Sequence, residues 1–201
     1  MAATLAFWYE FASTYSYPAA ARLEARATAA GVALEWRPFL LGPIFARQGW
    51  ADSPFNIYPA KGRYMWRDLQ RICAREGLGF GRPSGFPRNS LLAARVALVG
   101  ADEGWCGDFT RAVYRANFAE DRDIAEPEVI GGILAALGRS APQILGHAGS
   151  SEIKQRLKAQ NEQAVALGIF GAPSFIVAGE LFCGNDRLEE AIAWTRNAVR
   201  A

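Results

Sequence analysis

The start of the fold is set by Leu5-Ala-Phe-Trp-Tyr-Glu-Phe11, by Ser13-Thr-Tyr-Ser-Tyr-Pro18 after it, and by the helix formers of residues 19–30. The first run is apolar and aromatic and predicts a short strand that is buried on both faces. The alanine-rich run predicts a helix. Residues 32–37 alternate as a second strand, which we expect to end before Pro38. Strand, helix and strand in this order predict a parallel pair with a right-handed crossover.

The middle of the chain has a helical pattern instead. Apolar residues recur at i, i+4, i+7 and i+8 in the stripe Met65, Leu69, Ile72 and Cys73. Three further stripes begin at Leu91, Phe109 and Val129. We therefore predict a mostly helical block over residues 42–149, interrupted by a loop at Gly79–Asn89 that is rich in glycine and proline.

The last part of the chain returns to strands. Ser150 or Ser151 can cap a further helix. Residues 171–177 and Glu180–Cys183 predict two short strands around the turn Ala178-Gly179, and Asp186–Arg200 predicts a closing helix. No linker separates these parts, so we expect a single α/β domain over residues 1–201 with the helical block as an insertion.

The composition excludes several classes of function. Apolar residues make up 51% of the chain and the formal net charge is only +2, which gives no reason to expect nucleic acid or an anionic membrane as a partner. The first ten residues lack a basic leader, and no segment approaches the roughly 18 apolar residues of a membrane span. We expect a soluble, cytoplasmic protein.

Cysteine and histidine are scarce. Cys73, Cys106 and Cys183 are far apart and form no C-x-x-C pair, so we expect them to serve as small hydrophobic residues. His147 is the only histidine, and we expect it in a solvated loop without a catalytic role. These counts predict that the chain has no metal site.

The order of elements resembles a thioredoxin fold of the periplasmic disulfide-oxidase type, with a thioredoxin-like part at 1–41 and 150–201 and a helical insertion at 42–149. Redox members of that fold carry C-x-x-C where the first strand meets the first helix. This chain has Ser13-Thr-Tyr-Ser16 there. Gly171-Ala172-Pro173 resembles the cis-proline segment of the family, which presents the backbone before the proline to a bound peptide.

Four blocks narrow the resemblance to 2-hydroxychromene-2-carboxylate isomerases and kappa-class glutathione transferases. They occur in the family's order at residues 11–17, 53–69, 168–175 and 182–187. The isomerase branch is the more similar. Thr14 departs from the family, which often has proline there, and we expect a change in loop stiffness more than in chemistry. The resemblance implies a glutathione-dependent enzyme, a homodimer, that isomerises small aromatic acids of the hydroxychromene or hydroxybenzylidenepyruvate type.

The resemblance also implies that Ser13 donates a hydrogen bond to the sulfur of glutathione. A free thiol is only about 3% thiolate at pH 7, and lowering its pKa by two units requires about 2.7 kcal/mol. A hydroxyl donor to an anion contributes roughly 1.5–3 kcal/mol and a helix N-terminus roughly 0.3–2 kcal/mol, so no histidine is needed. Ser13 can instead be an ordinary helix cap. Ser16 is the other candidate for cap or donor, but the resemblance places it on the far side of the site.

The remaining contacts with glutathione are carried over from the same resemblance. Asn185 and Asp186 resemble the residues that bind its γ-glutamyl end, although Asp186 also fits a capping box with Glu189. Ala172, before Pro173, is expected to pair its backbone with the cysteinyl residue. Lys61 is expected either to meet the glycine carboxylate or to be a solvated surface residue.

The resemblance implies that Asn56 contacts either the substrate or glutathione. Tyr58, Tyr64, Trp66 and Phe86 form an aromatic set that can line a pocket for a flat aromatic substrate, although core packing is the ordinary explanation for such residues. Of this set we expect Tyr64 and Phe86 to bind the substrate. A kappa-type transferase acting on electrophiles or peroxides needs the same residues, so it stays open, as does a non-catalytic thioredoxin-like binding module. The missing C-x-x-C argues against a disulfide oxidoreductase.

Overall fold

A four-stranded mixed sheet with the order β2-β1-β3-β4 forms the centre of the fold. The computed structural model describes residues 4–198. Its strands are β1 (Thr4–Tyr9), β2 (Ala33–Pro38), β3 (Ser174–Val177) and β4 (Glu180–Cys183). β1 pairs in parallel with β2 and antiparallel with β3, and β3 pairs antiparallel with β4. The predicted α/β class and the parallel opening pair are confirmed.

The helices lie between β1 and β2, in the block between β2 and β3, and after β4. Within residues 4–198 they are α1 (Ser16–Ala30), α2 (Leu41–Arg47), α3 (Pro54–Ile57), α4 (Pro59–Arg75), α5 (Leu91–Glu103), α6 (Cys106–Phe118), α7 (Pro127–Ala136), α8 (Ala141–Ala148), α9 (Ser151–Ala166) and α10 (Leu188–Ala198). The four predicted stripes lie on α4, α5, α6 and α7. The segment Gly79–Asn89 joins α4 to α5 without helix, as its glycines and prolines predict.

β1 is buried on both faces, because α-helices and the neighbouring strands cover it. Phe7, Trp8 and Tyr9 are each at most 1% exposed. Phe7 stacks on Tyr9 and on Phe175 of β3 with ring centroids 4.9 and 5.4 Å apart. These aromatic contacts fix the strand whose end leads into α1.

β2 extends to Pro38, which corrects the prediction that it ends one residue earlier. Pro38 pairs with Tyr9, and the backbone N–H of Phe39 donates to the carbonyl of Tyr9 at 2.9 Å. A proline is tolerated here because β2 is at the edge of the sheet.

α1 begins at Ser16, three residues before the predicted start. Pro18 therefore lies in the first turn, where the backbone N–H has no partner within the helix.

The closing segment differs in another way, because Asn185–Arg187 forms a 3-10 turn before α10 begins at Leu188. The predicted end of this last helix, at residues 199–200, lies outside the described residues.

His147 lies in the last turn of α8 and is exposed, which corrects the prediction of a loop.

The turn between β3 and β4 forms where expected: Ala178 and Gly179 have φ values of 49° and 86°. In residues 4–198, no helix combines the length and the apolar character needed to span a bilayer.

Candidate active site

A cleft of about 690 Å³ opens beside the N-terminus of α1. One part of its lining, the corner wall, consists of residues 12–15 before α1 and residues 170–172 before β3. The other part, the apolar wall, consists of residues 40–43, 50–55 and 86–91, which are mainly apolar but include the charged residues Asp52 and Arg88. Strand β1 ends at this cleft, so the end of the sheet, the start of α1 and the helical block meet in one place.

Ser13 lies on the corner wall, at the positive end of α1. Its hydroxyl donates to the backbone carbonyl of Ala172 at 2.9 Å and accepts from the backbone N–H of Ser16 at 3.4 Å. The first turn of α1 contains no acidic residue, and the side chain of Tyr15 does not cap it. The first turn therefore holds no carboxylate that would neutralise the positive end of the helix dipole, and that end would stabilise an anion bound beside Ser13.

The other serine of the S-x-x-S segment is not accessible from the cleft. Ser16 is 0% exposed and is not part of the cleft lining. Of the two candidate donors, only Ser13 presents its hydroxyl to a ligand in the cleft.

Ala172 presents backbone groups next to Ser13. The peptide bond from Ala172 to Pro173 is cis. Among the hydrogen bonds of residues 4–198, none uses the backbone N–H of Ala172, while its carbonyl accepts from Ser13. Pro173 is buried behind the cleft. Its carbonyl accepts a hydrogen bond from the N–H of Gly184 at 2.9 Å, and this bond joins the start of β3 to the segment after β4.

Glu10 forms the floor of the cleft and is only 4% exposed. Its carboxyl group accepts from the backbone N–H groups of Ala12 and Leu41, at 3.2 and 2.9 Å, and from the hydroxyl of Ser90. These partners come from the corner before α1, the start of α2 and the start of α5. Burial raises the pKa of the Glu10 carboxyl group, and its hydrogen bonds oppose that rise.

Glu10 is a residue that the sequence reasoning missed. The sequence pattern predicts that it lies in an apolar strand, although it is the only charged residue in the run 5–11. A charged residue in a buried run is unusual unless it is paired, and that is the signal that identifies it.

The apolar wall offers a surface for a flat, apolar ligand. Phe45, which also lines the cleft, packs against Trp50 with ring centroids 5.5 Å apart. Phe55 of this wall packs against Tyr15 of the corner wall at 6.1 Å. The hydroxyl of Tyr15 donates to Asp68 of α4 at 3.0 Å, and burial raises its pKa. The two walls are therefore joined by side-chain packing as well as by Glu10.

Of the predicted substrate residues, Phe86 lies on the apolar wall. Trp66 packs against its ring at 4.9 Å. Asn56 lies outside the lining, where its amide donates to Asp52 at 3.0 Å and to the carbonyl of Phe86 at 3.3 Å. Tyr64 is 62% exposed on α4 and does not line the cleft.

Lys61 also lies away from the cleft. It is exposed in the first turn of α4, and its ammonium group lies 5.4 Å from the ring centroid of Tyr58. This position matches the solvated alternative better than a contact within the cleft.

Asn185 and Asp186 lie beyond the cleft, in the 3-10 turn after β4. Asn185 is 7% exposed, and its side-chain oxygen accepts from Arg22 of α1 at 2.7 Å. Asp186 is exposed, and its carboxylate lies 3.4 Å from the guanidinium of Arg187. Among residues 4–198, no hydrogen bond joins Asp186 to Glu189, so the capping box is not formed.

The three cysteines are free. Burial raises the pKa of Cys73 and of Cys106 to about 11. Cys183 lines the cleft, and burial raises the pKa of its thiol as well. In the described part of the chain, no group of three or more His, Cys, Asp or Glu side chains is arranged to hold a metal ion.

Comparison with known proteins adds the family context. A family model described as a DSBA-like thioredoxin domain matches residues 4–192. A 2-hydroxychromene-2-carboxylate isomerase of Sphingobium xenophagum is 26% identical, over 94% of this chain and 96% of that protein. Human glutathione S-transferase kappa 1 is also 26% identical, over 92% of this chain and 88% of that protein. The solved structure of a 2-hydroxychromene-2-carboxylate isomerase superposes with a TM-score of 0.88, at 21% identity, over 98% of this chain and 96% of the other.

Proposed function

Since this chain belongs to the family of DSBA-like thioredoxin domains, we propose that it is an enzyme of the glutathione-dependent isomerase and transferase group within that family. Its specific activity is proposed to be the isomerisation of aromatic acids of the 2-hydroxychromene-2-carboxylate or hydroxybenzylidenepyruvate type. The names of two relatives, an isomerase and a kappa-class glutathione transferase, support this choice.

One observation carries the proposal: the Ser13 hydroxyl lies 2.9 Å from the carbonyl of Ala172, at the N-terminus of α1 and in a cleft with an apolar wall. A hydroxyl donor, a helix N-terminus and a free backbone N–H favour an anionic sulfur on a bound peptide. The apolar wall favours a flat aromatic molecule next to it.

The residues at the site fit glutathione. The N–H of Ala172 has no acceptor within residues 4–198 and is free to pair with a peptide carbonyl. The first turn of α1 has no acid that would repel an anion. Bound glutathione would supply a thiolate that adds reversibly to a conjugated double bond, so that the bond can rotate before the sulfur leaves.

The chain's own part in the reaction is to hold charge and shape. Ser13 is proposed to turn its hydroxyl from the carbonyl of Ala172 to the sulfur, where a donor to an anion contributes roughly 1.5–3 kcal/mol. The α1 terminus adds roughly 0.3–2 kcal/mol. Phe86 and its neighbours on the apolar wall would hold the aromatic ring and exclude water.

The direct test is an isomerase assay on hydroxychromene and benzylidenepyruvate acids, with and without glutathione. We expect turnover only when glutathione is present and no net loss of glutathione during the reaction. S-methylglutathione, which binds without offering a thiol, is the matched control and should support no turnover. Equal rates with and without glutathione would contradict the proposal.

A kappa-type transferase is the second candidate, because the human relative has the same identity as the isomerase. Stoichiometric consumption of glutathione with an electrophile or a peroxide would favour it. A non-catalytic binding module is favoured only if glutathione neither binds nor raises the melting temperature. The predicted homodimer stays a prediction, which analytical ultracentrifugation can test.

A further inference from the structure

Arg22 of α1 is held tightly against the turn after β4. Its side chain is 15% exposed. The guanidinium donates to the side-chain oxygen of Asn185 at 2.7 Å and to the carbonyl of Pro18 at 3.1 Å. It also lies 3.9 Å from Glu76 and 3.7 Å from Glu189. These contacts from several directions leave the guanidinium little freedom.

The contact determines how the amide of Asn185 is oriented. A guanidinium has five donors and no acceptor, so the atom that faces Arg22 must be the oxygen of the amide. The amide nitrogen of Asn185 must then point the other way. The hydrogen bonds of residues 4–198 give that nitrogen no acceptor, and it is not among the buried atoms that lack a partner. It is therefore an accessible donor of fixed direction on an otherwise buried residue.

We propose that Arg22 is a positioning residue that locks Asn185 as a donor for the α-carboxylate of the γ-glutamyl group of glutathione. This inference rests on the proposed function. An amide that was free to flip would present its oxygen to the carboxylate as often as its nitrogen, and an oxygen facing a carboxylate is repulsive. Arg22 removes that orientation.

The family resemblance implies that the α-carboxylate binds at Asn185 and the α-ammonium at Asp186. The contact with Arg22 adds that the amide of Asn185 keeps its nitrogen toward the carboxylate. The site is therefore expected to distinguish a ligand with an α-carboxylate from one without it.

The test compares dissociation constants for two ligands by isothermal titration calorimetry. One is glutathione, and the other is 4-aminobutyryl-cysteinylglycine, which is glutathione without the α-carboxylate. We expect the native protein to prefer glutathione by roughly tenfold, the size of one hydrogen bond to a charged group. Arg22→Met should reduce that preference to about twofold or less, mainly because the binding of glutathione becomes weaker.

Arg26→Met is the matched control. Arg26 lies on the same helix and pairs with the same partner, Glu189, at 3.6 Å, but it does not contact Asn185. This variant should keep the native preference. If it loses the preference as Arg22→Met does, the effect comes from helix charge alone and the inference is wrong.

Asn185→Asp is a second variant, and Arg22 can still pair with the new carboxylate, so the fold is kept. It should weaken the binding of glutathione about tenfold, because the side-chain carboxylate at position 185 would then face the ligand's α-carboxylate. Binding of the analogue, which lacks that carboxylate, should not change. If this variant binds glutathione with the dissociation constant of the native protein, the inference is overturned.

The outcomes separate the inference from the proposed function. If the native protein binds neither ligand, the proposed function fails. If it binds glutathione without preferring it to the analogue, or if Arg22→Met weakens both ligands equally, only the inference fails.

Discussion

The two walls of the cleft recognise ligands in different ways. The corner wall presents a hydroxyl and backbone groups, with Ser13 and Ala172 2.9 Å apart beside the start of α1. The apolar wall presents rings and aliphatic side chains of the helical block, such as Trp50, Phe55 and Phe86. The first wall suits a ligand with fixed hydrogen-bonding groups, and the second suits a ligand defined by its flat shape.

This difference indicates a division of roles. Hydrogen bonds to backbone groups and to one hydroxyl need a fixed geometry, so the corner wall is expected to serve one constant ligand. Apolar contact depends on area and tolerates change, so the apolar wall is expected to set the choice of substrate. Glu10 connects the two walls, because it accepts from Ala12 on one and from Leu41 and Ser90 on the other.

The largest effect is expected where the walls are joined. Glu10→Ala would leave two backbone N–H groups and the Ser90 hydroxyl without their acceptor. We expect it to lower the free energy of unfolding by about 3 kcal/mol at pH 5, measured by urea denaturation. Glu190→Ala, which removes an exposed acid paired with Arg187, should change it by less than about 1 kcal/mol. Equal losses in both variants would mean that Glu10 does not join the walls.

The next effect tests the corner wall alone. Ser13→Ala should lower the glutathione-dependent rate roughly 10- to 100-fold and raise the pKa of the bound thiol by about one to two units. The thiolate's ultraviolet absorbance as a function of pH measures that pKa. Ser16→Ala is the control, because its hydroxyl is 0% exposed and cannot reach the cleft. If the pKa of the bound thiol changes in Ser16→Ala and not in Ser13→Ala, the donor is Ser16 and the assignment to Ser13 is wrong.

The pH dependence of stability tests the burial of Glu10. Because its pKa in the folded protein is raised above the value in the unfolded chain, the folded state holds the proton more tightly. Its contribution to stability is therefore complete below the ordinary glutamate pKa and is lost as the pH rises through the raised value. The slope reaches at most about 1.4 kcal/mol per pH unit.

Glu10→Gln should remove the loss of stability that comes from ionisation of Glu10. The free energy of unfolding of this variant should therefore increase relative to that of the native protein as the pH rises. Urea denaturation at several pH values measures the difference. Curves that stay parallel would show that Glu10 has the same pKa in both states.

The smallest effect tests the apolar wall. Phe86→Ala should raise KM for the aromatic substrate about fivefold, because part of a buried ring contact is lost, and should leave the dissociation constant of glutathione unchanged. Tyr64→Ala removes a ring that is 62% exposed and away from the cleft, so neither constant should change. A change in glutathione affinity in Phe86→Ala would mean that the walls do not act separately.

The sequence predicted the elements well where the pattern is local. The apolar run 5–11 gave β1, and the stripe through Met65 and Leu69 gave α4. Element ends were less accurate: β2 includes Pro38 because it is an edge strand, and α1 starts at Ser16 because a first-turn proline is tolerated. Those ends depend on neighbours that local periodicity does not contain.

The site residues divide in the same way. Ser13 and Ala172 belong to short motifs, and the structure brings them together although they are far apart in the chain. The residue type of Tyr64 suits a pocket for an aromatic ring, but its place on α4 turns it away from the cleft. Glu10 was missed because its partners, Leu41 and Ser90, become neighbours only after folding.

By itself, the sequence determined the α/β fold and the S-x-x-S corner, because strand and helix periodicity and short motifs are local properties. Only the tertiary structure decided that Ser16 is fully buried, that Glu10 joins the two walls, and that Arg22 fixes the amide of Asn185. The reason is physical: hydrogen-bond direction and burial depend on atoms from segments distant in the chain, and no local pattern encodes which segments will meet.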